Sequence, residues 1–281
     1  MSLGRLVVRI AASLTLVGCA LFTSLDGFSG SAVGPDGEAA GGAPSDAGGD
    51  EAPSQDAGAA EEEASVAFCA SQPATSRCTS FDDDELSKPF EIDKSANATV
   101  EYTTTDVVSA PRALVATIPP SDSSATESHA GPLTRFTSDV TKASVRFAFR
   151  VISAPATSVN ALEIESTYFG AGSSEYQVNL SLEPDGRLFV DEYSPSPSLF
   201  THAAFGPLAP GWHVVDLKIV FEGVGAGTAL LDVDGVSKSF PLTPVVKVAS
   251  STSIHVGAPY IRGVHGGWSV AIDDLVASAS N

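Results

Sequence analysis

Glu163 and Glu165 stand one residue apart in a stretch where they alternate with Leu162 and Ile164. In nearby alternating stretches Arg146 and Arg150, then Thr167, then Gln177, Asn179 and Ser181 share that polar parity. On a meander of strands these cations, carboxylates and amides would lie side by side across one sheet face. Such a surface offers a ligand both signs of charge and both hydrogen-bonding roles. Arg146, Glu163, Glu165, Gln177 and Asn179 are therefore the candidate ligand-binding residues. The same pattern also fits a solvated face whose cross-strand ion pairs are worth at most about 1 kcal/mol each.

Nucleophilic catalysis finds little support. Gly-x-Ser-x-Gly is absent and the five histidines are scattered. His213 has the parity of an apolar face and reads as a packed core or rim residue. His265 sits in the loop Gly263-Val264-His265-Gly266-Gly267, either a binding tip or a flexible turn. No catalytic residue is expected, and the chain reads as a non-enzyme. Structural calcium has a better basis, since it wants six to eight oxygen ligands. Asp82, Asp83 and Asp84 open the folded part and Asp273 and Asp274 close it, so neighbouring first and last strands would bring Asp82, Asp83, Asp273 and Asp274 together. The alternative is a solvated acidic turn. No other cofactor is expected.

Three cysteines occur in 281 residues. Cys69 and Cys78 read as a disulfide if the chain is exported; zinc would want closer spacing and further Cys or His partners. The balance of 15 basic against 34 acidic residues, net −19, argues against nucleic acid as a partner. It also argues against anionic lipid bound through the folded part. Oligomeric state has no signature in the sequence.

The elements that must position these groups begin after an abrupt change of composition. From Gly27 to about Ser65 the chain is mostly Gly, Ala, Ser, Pro, Asp and Glu, with nine acidic residues and no Lys or Arg. So little apolar surface cannot offset chain entropy, and the segment reads as a disordered acidic tether. Residues 66–281 carry repeated period-two runs broken by turn signals. Val145, Phe147, Phe149 and Val151 form one apolar face, and Tyr176, Val178, Leu180 and Leu182 another. His213, Val215, Leu217, Ile219 and Phe221 form a third. Pro184-Asp185-Gly186 and Asp234-Gly235 are turn signals, the latter a strong hairpin. Val256, Trp268, Val270 and Ile272 belong to late strands. Ten or more strands, each with one apolar face, require two packed sheets: an all-β antiparallel sandwich.

The order of the pieces resembles the concanavalin A-like jelly roll, the family of lectin, laminin-G-like and glucanase sandwiches. The residues that carry it are Phe81-Asp82-Asp83-Asp84, Ser109 to Leu114, Gly211 to Leu217, Val233-Asp234-Gly235 and Gly267 to Val276. The resemblance implies that the concave sheet binds glycan. Sugar platforms usually offer flat rings, yet Tyr168 and Tyr176 have core parity and the polar face carries no ring. Glycosidases of that family use Glu-x-Asp-x-x-Glu. Glu163-Ile164-Glu165 resembles its first half, but Tyr168 stands where the third acid would be.

At the N-terminus, Arg5 and Arg9 precede an apolar run from Ile10 to Val17, the layout of a secretory signal. Leu16-Val17-Gly18-Cys19 resembles the lipobox of bacterial lipoproteins. That implies a signal at residues 1–18, a lipidated Cys19 and a linker at 19–65. The jelly roll at 66–281 would then be held to the cell envelope by its lipid. Ala20 rather than Asp after the cysteine favours the outer membrane by the same resemblance. The resulting expectation is a lipid-anchored envelope protein that binds an extracellular or cell-wall glycan without catalysis. A structural or adhesive protein with a protein partner comes next, and a glycoside hydrolase or lyase last.

Overall fold

The computed structural model describes residues 68–82, 90–124, 126–169, 173–245 and 248–281, all within the unit Pro53–Asn281. The signal-like segment, Cys19, the acidic stretch, Asp83 and Asp84 lie outside the described residues. Cys69 and Cys78 are joined as a disulfide, with their Cα atoms 5.5 Å apart.

Alternating runs become strands wherever the sequence carries them. In chain order these are β1 (Arg77–Thr79), β2 (Glu91–Lys94), β3 (Thr99–Thr103), β4 (Ala113–Ile118), β5 (Glu127–Phe136), β6 (Lys142–Ser153), β7 (Val159–Phe169) and β8 (Ser173–Leu182). They continue with β9 (Arg187–Pro195), β10 (Ser198–Pro207), β11 (Trp212–Gly223), β12 (Ala226–Val233), β13 (Val236–Leu242), β14 (Ser251–Val256), β15 (Ala258–Arg262) and β16 (Trp268–Ser280). All neighbours pair antiparallel. The first sheet runs β13-β12-β11-β6-β16-β4-β3, with β1 beside β16. The second runs β10-β9-β8-β7-β14-β5-β15, with β2 beside β5. The expected two-sheet antiparallel sandwich is therefore the fold.

The core lies between the two sheets. Phe147 and Phe149 of β6, Leu217 and Ile219 of β11, and Ile164, Val178 and Leu180 of β7 and β8 are all buried there. Side chains of this kind contribute roughly 1.5–3 kcal/mol each on burial. Tyr176 from the second sheet meets Phe221 from the first edge-on, with ring centroids 5.8 Å apart. The tyrosine hydroxyl donates to buried Glu192, which also accepts from the Thr243 hydroxyl at 3.0 Å. The Asp234-Gly235 hairpin forms as expected between β12 and β13. Both residues have positive φ, 54° and 82°, the backbone that a tight primed turn demands.

One expectation fails at the level of topology. Arg146 lies on β6, in the first sheet, whereas Glu163, Glu165, Gln177 and Asn179 lie on β7 and β8 in the second. The chain crosses from one sheet to the other between Ser153 and Val159, so β6 and β7 do not form a meander. Parity within each strand was readable, but the sheet each strand joins was not.

Candidate functional site

Register converts the outward parity of the second sheet into ordered rows. His255, Glu163, Asn179, Asp191 and His202 are successive cross-strand partners on β14, β7, β8, β9 and β10. A parallel row runs Arg135, Ser253, Glu165, Gln177, Tyr193 and Phe200 from β5 to β10. Period two then places every member of both rows on the face away from the core. Four of the five expected ligand-binding residues, Glu163, Glu165, Gln177 and Asn179, therefore share one face.

At the β14 end of these rows lies a cleft of about 510 Å³. Asp93, His129, Arg135, Glu163, Glu165 and His255 line it. Gly131 lets the strands close up here, since a Cβ on it would sit 1.9 Å from the Val256 carbonyl oxygen. His129 Nε2 is 3.3 Å from Asp93 Oδ1, and the ring is about one-third exposed. His255 packs edge-on against His129 with centroids 6.2 Å apart, and its Nδ1 lies 3.9 Å from Asp93 Oδ2. Arg135 pairs with Glu91, both exposed, across the mouth.

The electrostatics of the cleft follow from partial burial. Glu163 is pushed up to about 7, first by burial and then by the charges of Glu165 and Glu175. Glu165 is raised by burial and by Glu175, with the Thr167 hydroxyl and Arg135 pulling the other way. His255 is driven down to about 4, chiefly by burial, so its imidazole is neutral near pH 7. Near neutrality the cleft thus holds a partly protonated carboxyl, a neutral buried imidazole, an accessible imidazole beside a carboxylate, and a guanidinium.

The other residues singled out from sequence fall elsewhere. Asp273 is fully buried, and its two oxygens accept from the Val108, Ser109 and Asp274 amides and the Ser109 hydroxyl at 2.9–3.1 Å. Asp274 accepts from the same hydroxyl at 3.0 Å, and its ionisation feels both Asp82 and Arg146. Asp82, Asp273 and Asp274 thus lie near one another, with the two β16 residues in mid-strand where β16 passes from its pairing with β4 to its pairing with β1. No cluster of three or more His, Cys, Asp or Glu side chains fit to hold a metal occurs among the described residues. His213 is a buried rim residue whose Nδ1 is 2.6 Å from Asp234. His265 is buried and its backbone bridges to Ser121, so it is not an exposed tip.

Sequence reasoning missed Asp93, His129, Arg135 and His255. Part of the signal was present: Ser253 and His255 alternate with Ile254 and Val256, and His129 shares parity with Arg135. The rings of the second sheet were missed too. Phe189, Tyr193, Phe200 and His202 all lie on the outward face by register, so that face does carry aromatic side chains.

No protein-family model matches the chain, and no curated protein matches it. Among solved structures, the chain is similar to an endo-β-1,4-glucuronan lyase from the fungus Trichoderma reesei, with TM-score 0.52 and 16% identity over 68% of this chain and 90% of that one. An alginate lyase from Chlorella virus aligns with TM-score 0.47 and 10% identity, over 64% and 89% of the two chains. A protein of unknown function from Shewanella oneidensis aligns with TM-score 0.45 and 14% identity, over 83% and 96%. At these identities the first match establishes the sandwich fold. It also overturns the expectations of a non-enzyme and of glycan binding without turnover. The scaffold is one on which a polysaccharide lyase is built.

Proposed function

We propose that the cleft of the second sheet cleaves a uronate-containing polysaccharide by β-elimination. One observation carries this reading: a single cleft holds the His129–Asp93 pair, Arg135, and a carboxyl group, Glu163, that burial keeps partly protonated near neutrality. Elimination needs the proton on the carbon beside the uronate carboxylate to leave while the glycosidic C–O bond one carbon further on breaks. Asp93 holds the His129 ring through Nε2, which leaves Nδ1 to take that proton and return it to the departing glycosidic oxygen. A carbon–carbon double bond forms, one C–O bond breaks, and the proton count closes. Arg135 and the neutral Glu163 carboxyl both donate hydrogen bonds to the uronate carboxylate, which spreads the charge that develops as the proton departs. Buried His255 positions His129 by edge-on packing.

The fold shared with a glucuronan lyase supports this assignment. So does Arg135, the one Arg or Lys lining the cleft among the described residues. The lipobox-like Leu16-Val17-Gly18-Cys19 supports the further proposal that the enzyme works from a lipid anchor at the cell envelope, beyond an acidic tether.

The test is to incubate the full chain with glucuronan, alginate and a neutral β-glucan, reading ultraviolet absorbance of unsaturated ends alongside new reducing ends. Elimination predicts both signals together on at least one uronate polymer, and neither on the neutral glucan. Reducing ends without absorbance would make the cleft a hydrolase and overturn the proposal. So would the absence of cleavage on every polymer.

A further inference from the structure

Beyond the cleft, the outer strands of the same sheet carry a group of rings. Phe200 is 66% exposed and Tyr193 38%, a large apolar exposure on the edge strand β10 and its neighbour. His202 stacks flat on Phe189, with centroids 3.9 Å apart and planes 14° from parallel. Phe200 lies 6.3 Å from His202 and only 17° from its plane. Asp191 holds the imidazole from β9, with His202 Nδ1 2.6 Å from its Oδ1. The Ser181 hydroxyl donates to the other oxygen of Asp191 and lies 3.1 Å from Asn160 Oδ1, so the carboxylate that orients the ring is itself fixed.

We infer that Tyr193, Phe200 and His202 form a stacking platform for sugar rings of the same polysaccharide chain that enters the cleft. The platform lies on the two rows already described. Glu163 and His202 are three strands apart on one row, and Glu165 and Phe200 three strands apart on the other, roughly 14 Å at ordinary strand spacing. A polymer lying across the strands would therefore touch both places at once. Between them stands Asn179, 6% exposed, with a buried Oδ1 that has no hydrogen-bond partner. Asn179 donates to Gln177 at 3.4 Å and Gln177 donates to Glu175, which leaves each amide one further N–H for a sugar hydroxyl. Apolar C–H faces of sugars suit flat rings, while their hydroxyl edges suit this amide strip. The occupant is thus a hydroxyl-rich chain with flat apolar faces. The inference rests on the proposed function only for the identity of that chain, and its test reads binding rather than cleavage.

The experiment is affinity electrophoresis of the full chain through gels containing glucuronan, alginate or a neutral β-glucan. It uses His129→Ala, which lacks the proposed base and so should leave the polymer intact, as a reference, and the same variant carrying Tyr193→Ala and Phe200→Ala. The reference should be retarded by at least one polymer. The ring substitutions should weaken that binding about tenfold, which corresponds to about 1.4 kcal/mol. Far-ultraviolet circular dichroism should be unchanged, since both rings are exposed. Equal retardation of the two proteins would overturn the platform, as would no retardation in any gel. A concentration-dependent dimer in sedimentation, lost with Phe200→Ala, would assign the rings to a second copy of the chain and also overturn it. Binding that depends on the rings without any cleavage by the unsubstituted protein would leave the platform standing and defeat the elimination proposal alone.

Discussion

Asp273 and Glu163 are both carboxyl groups that burial drives up to about 7, but their surroundings differ. Asp273 sits inside the first sheet with four hydrogen-bond donors on its two oxygens, fixing the Val108–Ser109 turn to β16. Glu163 stands on the second sheet at the wall of a cleft, among other carboxylates and opposite His255. A raised pKa alone therefore does not mark a functional group. Whether the oxygens are already engaged, and whether a ligand can reach them, separates a structural carboxyl from a chemical one.

The largest expected effect lies on the cleft side. His129→Ala should lower kcat/KM by about 10²–10⁴-fold, the usual worth of a general base. Its melting temperature should stay close to that of the parent, because the ring is partly exposed. Equal losses of activity and stability would erase the distinction between the two regions. Asp273→Ala should do the reverse. Several donors would be left unpaired in a dry site, costing about 3 kcal/mol by denaturant unfolding. Its kcat/KM should be retained at temperatures where the variant is folded.

A smaller effect concerns pH. Native Glu163 and Asp273 bind protons more tightly than their unfolded counterparts, whose ordinary values are 4.5 and 3.8. Their contribution to stability is full below about pH 4 and is lost as pH rises through about 7. Glu165 and Asp274 act in the same direction and His255, lowered to about 4, in the opposite one, so the difference between two proteins is the test: in thermal melts the stability of the parent relative to Glu163→Gln should fall between those limits. An unchanged difference would mean that Glu163 is not raised. The smallest effect is at the mouth, where Glu91→Ala removes an exposed ion pair worth at most about 1 kcal/mol. Freed Arg135 should then lower KM for a uronate polymer with kcat unchanged, as initial-rate kinetics would reveal.

Local pattern was legible in the sequence, and long-range assembly was not. Tyr176, Val178, Leu180 and Leu182 are buried as their alternation requires, and Asp234-Gly235 makes its turn. The outward set Glu163, Glu165, Gln177 and Asn179 followed from the same parity. Arg146 was misplaced because period two says which way a side chain points but not which sheet its strand joins. The cleft was hidden for a related reason: β14 inserts between β5 and β7, so His255 meets Glu163 across a long sequence separation. On β5, Gly131 and Pro132 interrupt the alternation that would have linked His129 to Arg135. The rings at Tyr193 and Phe200 escaped because Pro195 and Pro197 break the alternating pattern between them.

The pH dependence of unsaturated-product formation, compared between the unsubstituted protein and Glu163→Gln, tests the central claim most directly. If neutral Glu163 donates a hydrogen bond to the uronate carboxylate, kcat/KM of the parent should fall as pH rises through about 7. The glutamine variant keeps a donor that cannot ionise, so it should remain active and lose that alkaline limb. An identical alkaline limb in both proteins, or no unsaturated product from either, would contradict the account.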